Sequence, residues 1–349
     1  MKNLIEKLEQ THDLTEPELL ALLQGQSPEI QSLLAQKALL QRQRIYGDRV
    51  CIRGLIEFTN HCKNNCYYCG IRCSNSQVRR YRLTEDDILA ACGRGYELGL
   101  RSFVLQGGED PGVSPQALAS LIREIKSRYP DCALTLSVGE YPKQTYALWK
   151  EAGADRYLLR HETADPDHYR LLHPEHQTLE KRLKCLRDLK DLGYQVGCGF
   201  MVGSPGQTDH QLVKDLLFVR QFQPHMVGVG PFIPQKDTPF GDCPPGSVDK
   251  TLYLLSILRL LLPEVLLPAT TALGTLHPQG RELGLLSGAN VCMPNLSPAA
   301  VRKQYALYDN KLSDGPEAAE SLDALFGRLN TVSCVPDLSR GDHFSFVRK

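Results

Sequence analysis

From residue 50 onward, short apolar runs alternate with longer stretches whose apolar residues recur every three or four positions. The runs predict strands over Val50–Phe58, Ser102–Gln106, Ala133–Val138, Arg156–Arg160, Gln195–Val202, Met226–Val229, Val265–Ala269 and Ala289–Met293. The amphipathic stretches predict helices over 85–98, 115–129, 143–152, 178–192, 208–222, 249–262, 279–287 and 299–308. Thr84 before Glu85-Asp86-Asp87 opens one of these helices, and Gly99 closes it. Ahead of the first strand the chain reads as helices. Thr15-Glu16-Pro17-Glu18 has the form of a capping box, and Ser27-Pro28 is an N-cap with proline at the first helical position.

Eight strand–helix units in roughly 250 residues is the count of an α/β fold of the (β/α)8 TIM-type barrel. A doubly wound open sheet shows the same alternation. The barrel is favoured because polar and glycine-rich residues follow nearly every strand, at the mouth where barrel enzymes do their chemistry. The division expected is a helical extension over 1–48, a barrel over 49–310 and a tail over 311–349 packed on the barrel. Val332–Lys349 shows no pattern beyond short irregular structure.

Composition narrows the function classes. Hydrophobic residues make up 42% and charged residues 23%, enough to build a sizeable core. The 40 basic and 40 acidic side chains cancel, which argues against nucleic acid or an anionic membrane as partner. No apolar run approaches the roughly 18–20 residues of a membrane span. The start, Met1-Lys2-Asn3-Leu4-Ile5-Glu6-Lys7, is charged where a signal peptide is apolar, and the twelve cysteines are scattered, so a reducing cytoplasm is expected.

The densest chemistry lies after the first strand, in His61-Cys62-Lys63-Asn64-Asn65-Cys66-Tyr67-Tyr68-Cys69-Gly70. Cys62, Cys66 and Cys69 form a C-x3-C-x2-C pattern. Three thiolates on a four-iron cluster leave one iron open to a small molecule, and the pattern resembles the signature of radical S-adenosylmethionine (SAM) enzymes. A structural zinc site needs a fourth ligand, for which His61 and Cys73 are near in sequence; packing as small apolar residues is the other alternative.

Later strand ends add to this. Gln106-Gly107-Gly108-Glu109-Asp110-Pro111 lets backbone approach a ligand and supplies a carboxylate. Thr135-Leu136-Ser137-Val138-Gly139-Glu140 offers hydroxyls and a second carboxylate. Arg160 and Glu162 alternate in phase after the fourth strand. Arg160 and Arg182 are two forks able to grip a carboxylate, unless they serve an internal Arg–Glu pair. Gly197-Cys198-Gly199 leaves room for a flat group such as adenine, or serves close packing. The other cysteines, Cys51, Cys73, Cys92, Cys132, Cys185, Cys198, Cys243, Cys292 and Cys334, default to buried packing.

Taken with Tyr157-Leu158-Leu159-Arg160-His161-Glu162-Thr163, Met201-Val202-Gly203-Ser204-Pro205-Gly206-Gln207-Thr208, Gly228-Val229-Gly230-Pro231-Phe232-Ile233-Pro234 and Pro268-Ala269-Thr270-Thr271, the cysteine loop resembles the HydE maturases of FeFe-hydrogenases over about 45–310. Biotin synthase and methylornithine synthase belong to the same wider group. The resemblance implies one 4Fe–4S cluster on Cys62, Cys66 and Cys69, with SAM on its open iron. It implies SAM contacts from Tyr68, Gly107, Gly108, Glu109, Ser137, Glu162 and Arg182, and a substrate cavity lined by Thr135, Arg160, Met226, Thr270, Thr271 and Tyr308. The implied substrate is a small organometallic: an iron-bound, cysteine-derived precursor carrying CO and cyanide, attacked by a 5′-deoxyadenosyl radical during assembly of the di-iron centre. The implied partners are two further maturases, a radical SAM tyrosine lyase and a GTPase scaffold.

One departure stands out. Some family members carry an accessory cluster on a C-x7-C-x2-C triplet near the C-terminal end, where this chain has Ser313, Ser321 and Ala324. Serine and alanine do not replace thiolates, so no accessory cluster is expected. Two other readings stay open: a radical SAM mutase acting on an amino acid, and a non-catalytic iron–sulfur carrier.

Overall fold

The computed structural model describes residues 1–313 and 319–347. Its centre is a parallel sheet in strict chain order: β1 (Arg49–Ile52) stands apart, and β2 (Gly54–Thr59), β3 (Ser102–Gly107), β4 (Ala133–Ser137), β5 (Arg156–Leu158), β6 (Gln195–Val202) and β7 (Met226–Pro231) pair successively. Between them run α4 (Glu85–Glu97), α5 (Pro115–Arg128), α6 (Lys143–Glu151), α7 (Pro166–Leu172), α8 (Leu179–Asp191) and α9 (Asp209–Phe222). Strands buried on both faces read as near-continuous apolar runs, which is why their positions were legible.

The return from β7 to β2 differs from expectation. The run 265–269 forms no ladder. It joins its neighbours through single parallel bridges, Leu266 to Met226 and Pro268 to Val291. The run 289–293 keeps only β8 (Val291–Cys292), and Asn295 then bridges Leu55 of β2. Pro268 and Pro294 have no N–H to give a ladder, so the sheet edges meet through isolated bonds such as Leu55 N–H to Pro294 O at 2.8 Å.

The run 50–58 is two strands rather than one. At Arg53 the chain leaves one sheet for another: β1 pairs with β8 and with the C-terminal β9 (Val335–Asp337), while β2 enters the main sheet. The tail is therefore more than irregular. After α14 (Leu322–Thr331) and β9, residues 340–343 close the end of the sheet circuit opposite the mouth. Arg156 reaches Asp342 Oδ1 at 2.6 Å, Gln195 reaches the same oxygen at 2.7 Å, and Arg53 donates to Gly341 O at 3.1 Å.

The N-terminal helices α1 (Lys2–Thr11), α2 (Glu16–Gln24) and α3 (Pro28–Tyr46) match the capping signals, with Ile30 N–H on Ser27 Oγ and both halves of the Thr15–Glu18 box present. Their Ile5, Leu8, Leu19, Leu22 and Leu34 are buried in the main core against α10 (Val248–Leu261), where Tyr253 Oη donates to Leu22 O at 2.8 Å. After α10 come α11 (Thr271–Leu276), α12 (Gly280–Leu286) and α13 (Ala299–Arg302). The helix expected over 299–308 stops at Arg302, and residues 305–312 instead cross the mouth as an irregular strap. Gly70 N–H binds Leu307 O, Asp309 N–H binds Pro234 O, and Leu312 N–H binds Thr275 Oγ1. The short helices α7 and α11 carried no periodic signal long enough to predict them.

Candidate functional site

The cysteine loop leaves β2 under tight control. Thr59 Oγ1 and the Arg82 fork both bond the carboxylate of Asp110, each at 2.7 Å, tying the ends of β2 and β3 together. Asn60 Nδ2 donates to Arg79 O and Gln304 O. Within the loop, Lys63 N–H binds Glu109 O, Tyr67 N–H binds Leu172 O and Cys73 N–H binds Asn64 O. Cys62, Cys66 and Cys69 are half-buried and free, while Cys73 is exposed. Burial raises the Cys62 thiol, pushes the Cys66 thiol up to about 12 and lifts Cys69 further. The free loop therefore holds neutral thiols near neutral pH, and any metal that binds must displace their protons.

Among the described residues, no three Cys, His, Asp or Glu side chains converge as a single metal ion requires. That removes support from the zinc alternative. A four-iron cluster spreads its ligands over the corners of a cube, so the loop's donor set still fits it.

The loop opens on a cavity of about 380 Å³. Cys62, Cys66, Cys69, Tyr68, Gly107, Gly108, Glu109, Ser137, Arg160, Glu162, Thr270, Thr271 and Tyr308 all line it. Two glycines there have a steric reason. A Cβ on Gly108 would stand 2.3 Å from His61 O and 2.6 Å from Cys62 Cβ, so only glycine lets the β3 end touch the cysteine loop. Gly139, at φ +88°, would put a Cβ 2.1 Å from Glu109 Cγ. Glu109 is 5% exposed, accepts from Glu140 N–H at 2.7 Å and faces Lys63 Nζ at 3.2 Å.

Arg160 and Glu162 both point into the cavity, with Arg160 Nη2 3.1 Å from Glu162 Oε2. Neither atom makes a well-aligned hydrogen bond, and Arg160 Nε has none, so buried polar capacity remains for a ligand. Glu162 also adopts φ +66°, a left-handed conformation that costs a non-glycine residue of order 1 kcal/mol or more. Its backbone is held by bonds to Gly199 O and from Met201 N–H. Arg182 is committed elsewhere: it donates to Glu140 and to Arg160 O, so of the two forks only Arg160 faces the cavity.

Thr135 and Met226 stand apart from the cavity. They line a separate void of about 10 Å³ with Arg53, Arg156 and Gln195, one layer nearer the closed end. Gly197 and Gly199 do not line the cavity either. A Cβ on Gly199 would fall 2.0 Å from Gly228 O, and one on Gly197 would fall 2.9 Å from Leu158 Cδ1, so both serve close strand packing. Ser313, Ser321 and Ala324 contribute nothing to the cavity lining. Of the remaining cysteines, Cys51, Cys92, Cys132, Cys185, Cys198, Cys292 and Cys334 are buried, in line with packing, and Cys243 is half-buried.

Sequence reasoning missed a buried ion pair in the wall. Glu57 on β2 takes Lys311 Nζ at 2.7 Å on one oxygen and Asn295 Nδ2 at 2.9 Å on the other. Both charged residues line the cavity, and Lys311 reaches in from the strap. The available signal was a lone glutamate inside the run Gly54-Leu55-Ile56-Glu57-Phe58-Thr59.

Histidines shielded from water make the fold sensitive to acid: burial lowers the fully buried His161 from 6.5 to about 3 and pushes His168 and His343 down in the same direction. His173 accepts from Tyr68 Oη, and its burial lowers it from 6.5 to about 3; His225, behind the closing tail, falls to about 4 for the same reason. The unfolded chain protonates both near 6.5 while the folded chain does not, so stability is full above that value and falls as pH drops toward 4. The unfolding free energy of the metal-free protein, measured in urea, is expected to decline below about pH 6, by up to ~1.4 kcal/mol per pH unit for each histidine, and the urea midpoint with it. A midpoint flat down to about pH 4.5 would contradict this assignment.

Residues 56–219 match the model of the radical SAM superfamily. The chain is 48% identical to the FeFe hydrogenase maturase subunit HydE of Thermotoga maritima over 271 residues, 78% of this chain and 77% of that one. It is 31% identical to the 3-methylornithine synthase of Methanosarcina barkeri over 333 residues, 95% and 93% of the two chains. The crystal structure of methylornithine synthase PylB superposes with a TM-score of 0.85 at 29% identity, covering 96% of this chain and 97% of that one.

Proposed function

The chain belongs to the radical SAM superfamily and, within it, to the family of the maturase HydE, and from that premise we propose that it acts in building the di-iron centre of an FeFe-hydrogenase. It is a radical SAM enzyme, with a 4Fe–4S cluster and SAM as its cofactors. The observation that carries the reading is that a three-cysteine loop and the polar ends of β3, β4 and β5 open on one cavity. We take the bridged sheet circuit as a (β/α)8 barrel, with 49–310 as the catalytic unit and the tail packed on it.

In this reading Cys62, Cys66 and Cys69 would hold three of the irons. Glu109 would receive the ammonium of SAM beside the Gly107-Gly108 backbone, with Tyr68, Ser137 and Glu162 around it, while Arg182 would act from behind the wall through Glu140 and the Arg160 carbonyl. Held there, the cluster and SAM would supply one-electron chemistry at the sulfonium. The chain's own part is positioning and exclusion. Glu162 and Arg160 offer their unspent polar atoms to the ligand, Lys311 and Glu57 neutralise each other within the wall, and the strap 305–312 covers the mouth against water. Arg160, Thr270, Thr271 and Tyr308 are assigned to the substrate, an iron-bound cysteine derivative carrying CO and cyanide. Thr135 and Met226 shape the floor beneath it. The tyrosine lyase and GTPase maturases would supply the precursor and receive the product. A cytoplasmic site agrees with this role, and no described helix is long and apolar enough to cross a membrane.

The test is anaerobic. Reconstituted with iron and sulfide, reduced and given SAM, the protein is expected to release 5′-deoxyadenosine, faster with the organometallic precursor than without it. Stimulation by an amino acid, with a rearranged carbon skeleton as product, would move the reading to the mutase. Iron bound without any SAM cleavage would leave a carrier.

A further inference from the structure

The connection between α7 and α8 runs beneath the cysteine loop and touches three successive residues of it. Tyr67 N–H donates to Leu172 O at 3.0 Å, Tyr68 Oη to His173 Nε2 at 3.1 Å, and Cys66 Sγ lies 3.6 Å from Gln177 Oε1. Each contact is braced from behind. His173 Nδ1 donates to Tyr169 O at 3.0 Å, which leaves Nε2 as an acceptor for the tyrosine. Gln177 is 7% exposed and its own N–H is bound to Pro174 O at 2.9 Å. Of the three contacts, only the one from Gln177 addresses a sulfur.

In the free thiol, Cys66 donates to the amide oxygen. A thiolate on iron has no proton to give, and its negative charge repels that oxygen. A half-turn of the amide brings Nε2–H to the same place as a donor, at no cost in space, because the two ends of a glutamine amide have nearly the same shape. We propose that Gln177 is a positioning residue for the 4Fe–4S cluster: its amide donates a hydrogen bond to Cys66 Sγ and raises the potential at which the cluster accepts an electron. The inference rests on the radical SAM reading above. One-electron reduction from the 2+ to the 1+ state puts more negative charge on the cluster and its sulfur ligands. A donor fixed on one of those sulfurs stabilises the reduced state more than the oxidised one.

The experiment uses the full chain reconstituted with iron and sulfide, titrated with dithionite without SAM, and followed by electron paramagnetic resonance of the reduced cluster. Gln177→Leu is expected to hold its iron and to show a midpoint potential below that of the wild type. Gln177→Glu, of the same size, is expected to lie lower still, because a carboxylate beside the thiolate opposes added charge. Full iron content with wild-type potentials in both variants overturns the proposal, as does a potential that rises. If the leucine variant fails to hold iron, the isosteric glutamate variant decides the matter, and an unchanged potential there overturns it. A wild type that forms no four-iron cluster overturns the family reading itself, and the Gln177 proposal with it.

Discussion

Replacing Cys66 by serine is expected to reduce 5′-deoxyadenosine formation to the uncatalysed background while leaving the fold in place. A serine hydroxyl near neutral pH is neither a thiolate nor easily made into one, and these clusters are held by thiolates. Cys73 is exposed and lies outside the three-cysteine spacing, with its backbone N–H bound to Asn64 O. The fold should hardly notice. The Cys66 side chain is half-buried, its contact to Gln177 is one a hydroxyl can also make, and the loop is anchored by Asn60, Asp110 and the Leu172 and Leu307 carbonyls. A change within about 1 kcal/mol in urea denaturation of the metal-free protein is therefore expected. Iron analysis and SAM turnover are to be measured together. A variant with wild-type turnover would remove Cys66 from the cluster assignment, and a collapse of metal-free stability would make its role structural.

The second large effect lies at the other end of the molecule. Asp342→Ala is expected to cost about 3–5 kcal/mol, because it leaves the buried Arg156 without its counter-charge. Asp342 accepts from Arg156, Gln195 and Arg340, and these bonds hold its carboxyl well below the usual carboxylate range. Arg53 lies in the same small void as Arg156, so removing the acid also exposes two neighbouring cations to each other. The loss should appear as a lower urea midpoint in the metal-free protein and as easier proteolysis of residues beyond β9. Removing both charges, with Arg156→Met and Asp342→Leu together, should recover part of the loss, since an apolar pair avoids desolvating ions. A single variant as stable as the wild type would mean that the tail is an appendage and that the sheet circuit closes without it.

Much of this molecule is written in local pattern. Gln195–Val202 was legible as a strand because a segment covered on both sides must be apolar along its whole length. Thr84 and Ser27 announced helix starts because the first backbone N–H groups of a helix need a nearby acceptor. The cysteine loop was legible because its three thiols are neighbours in the chain, and the turns after β3, β4 and β5 because each directly follows an apolar run in the units after that loop.

Other features depend on residues far apart in the chain that meet only in the fold. The sequence by itself determined the alternation of elements, the cysteine motif and most of the strand-end residues that face the cavity. Only the tertiary structure decided that Arg53 divides one apolar run between two sheets, because that choice depends on β9, more than 280 positions away. It likewise decided that Lys311 enters the cavity to meet Glu57, that Arg182 serves Glu140, and that Thr135 and Met226 lie a layer beneath the residues they were grouped with. The physical reason is the same in each case. Periodicity and capping follow from bonds within a few residues, whereas the pairing of a buried charge and the depth of a side chain within the sheet circuit depend on which distant segment fills the space beside it.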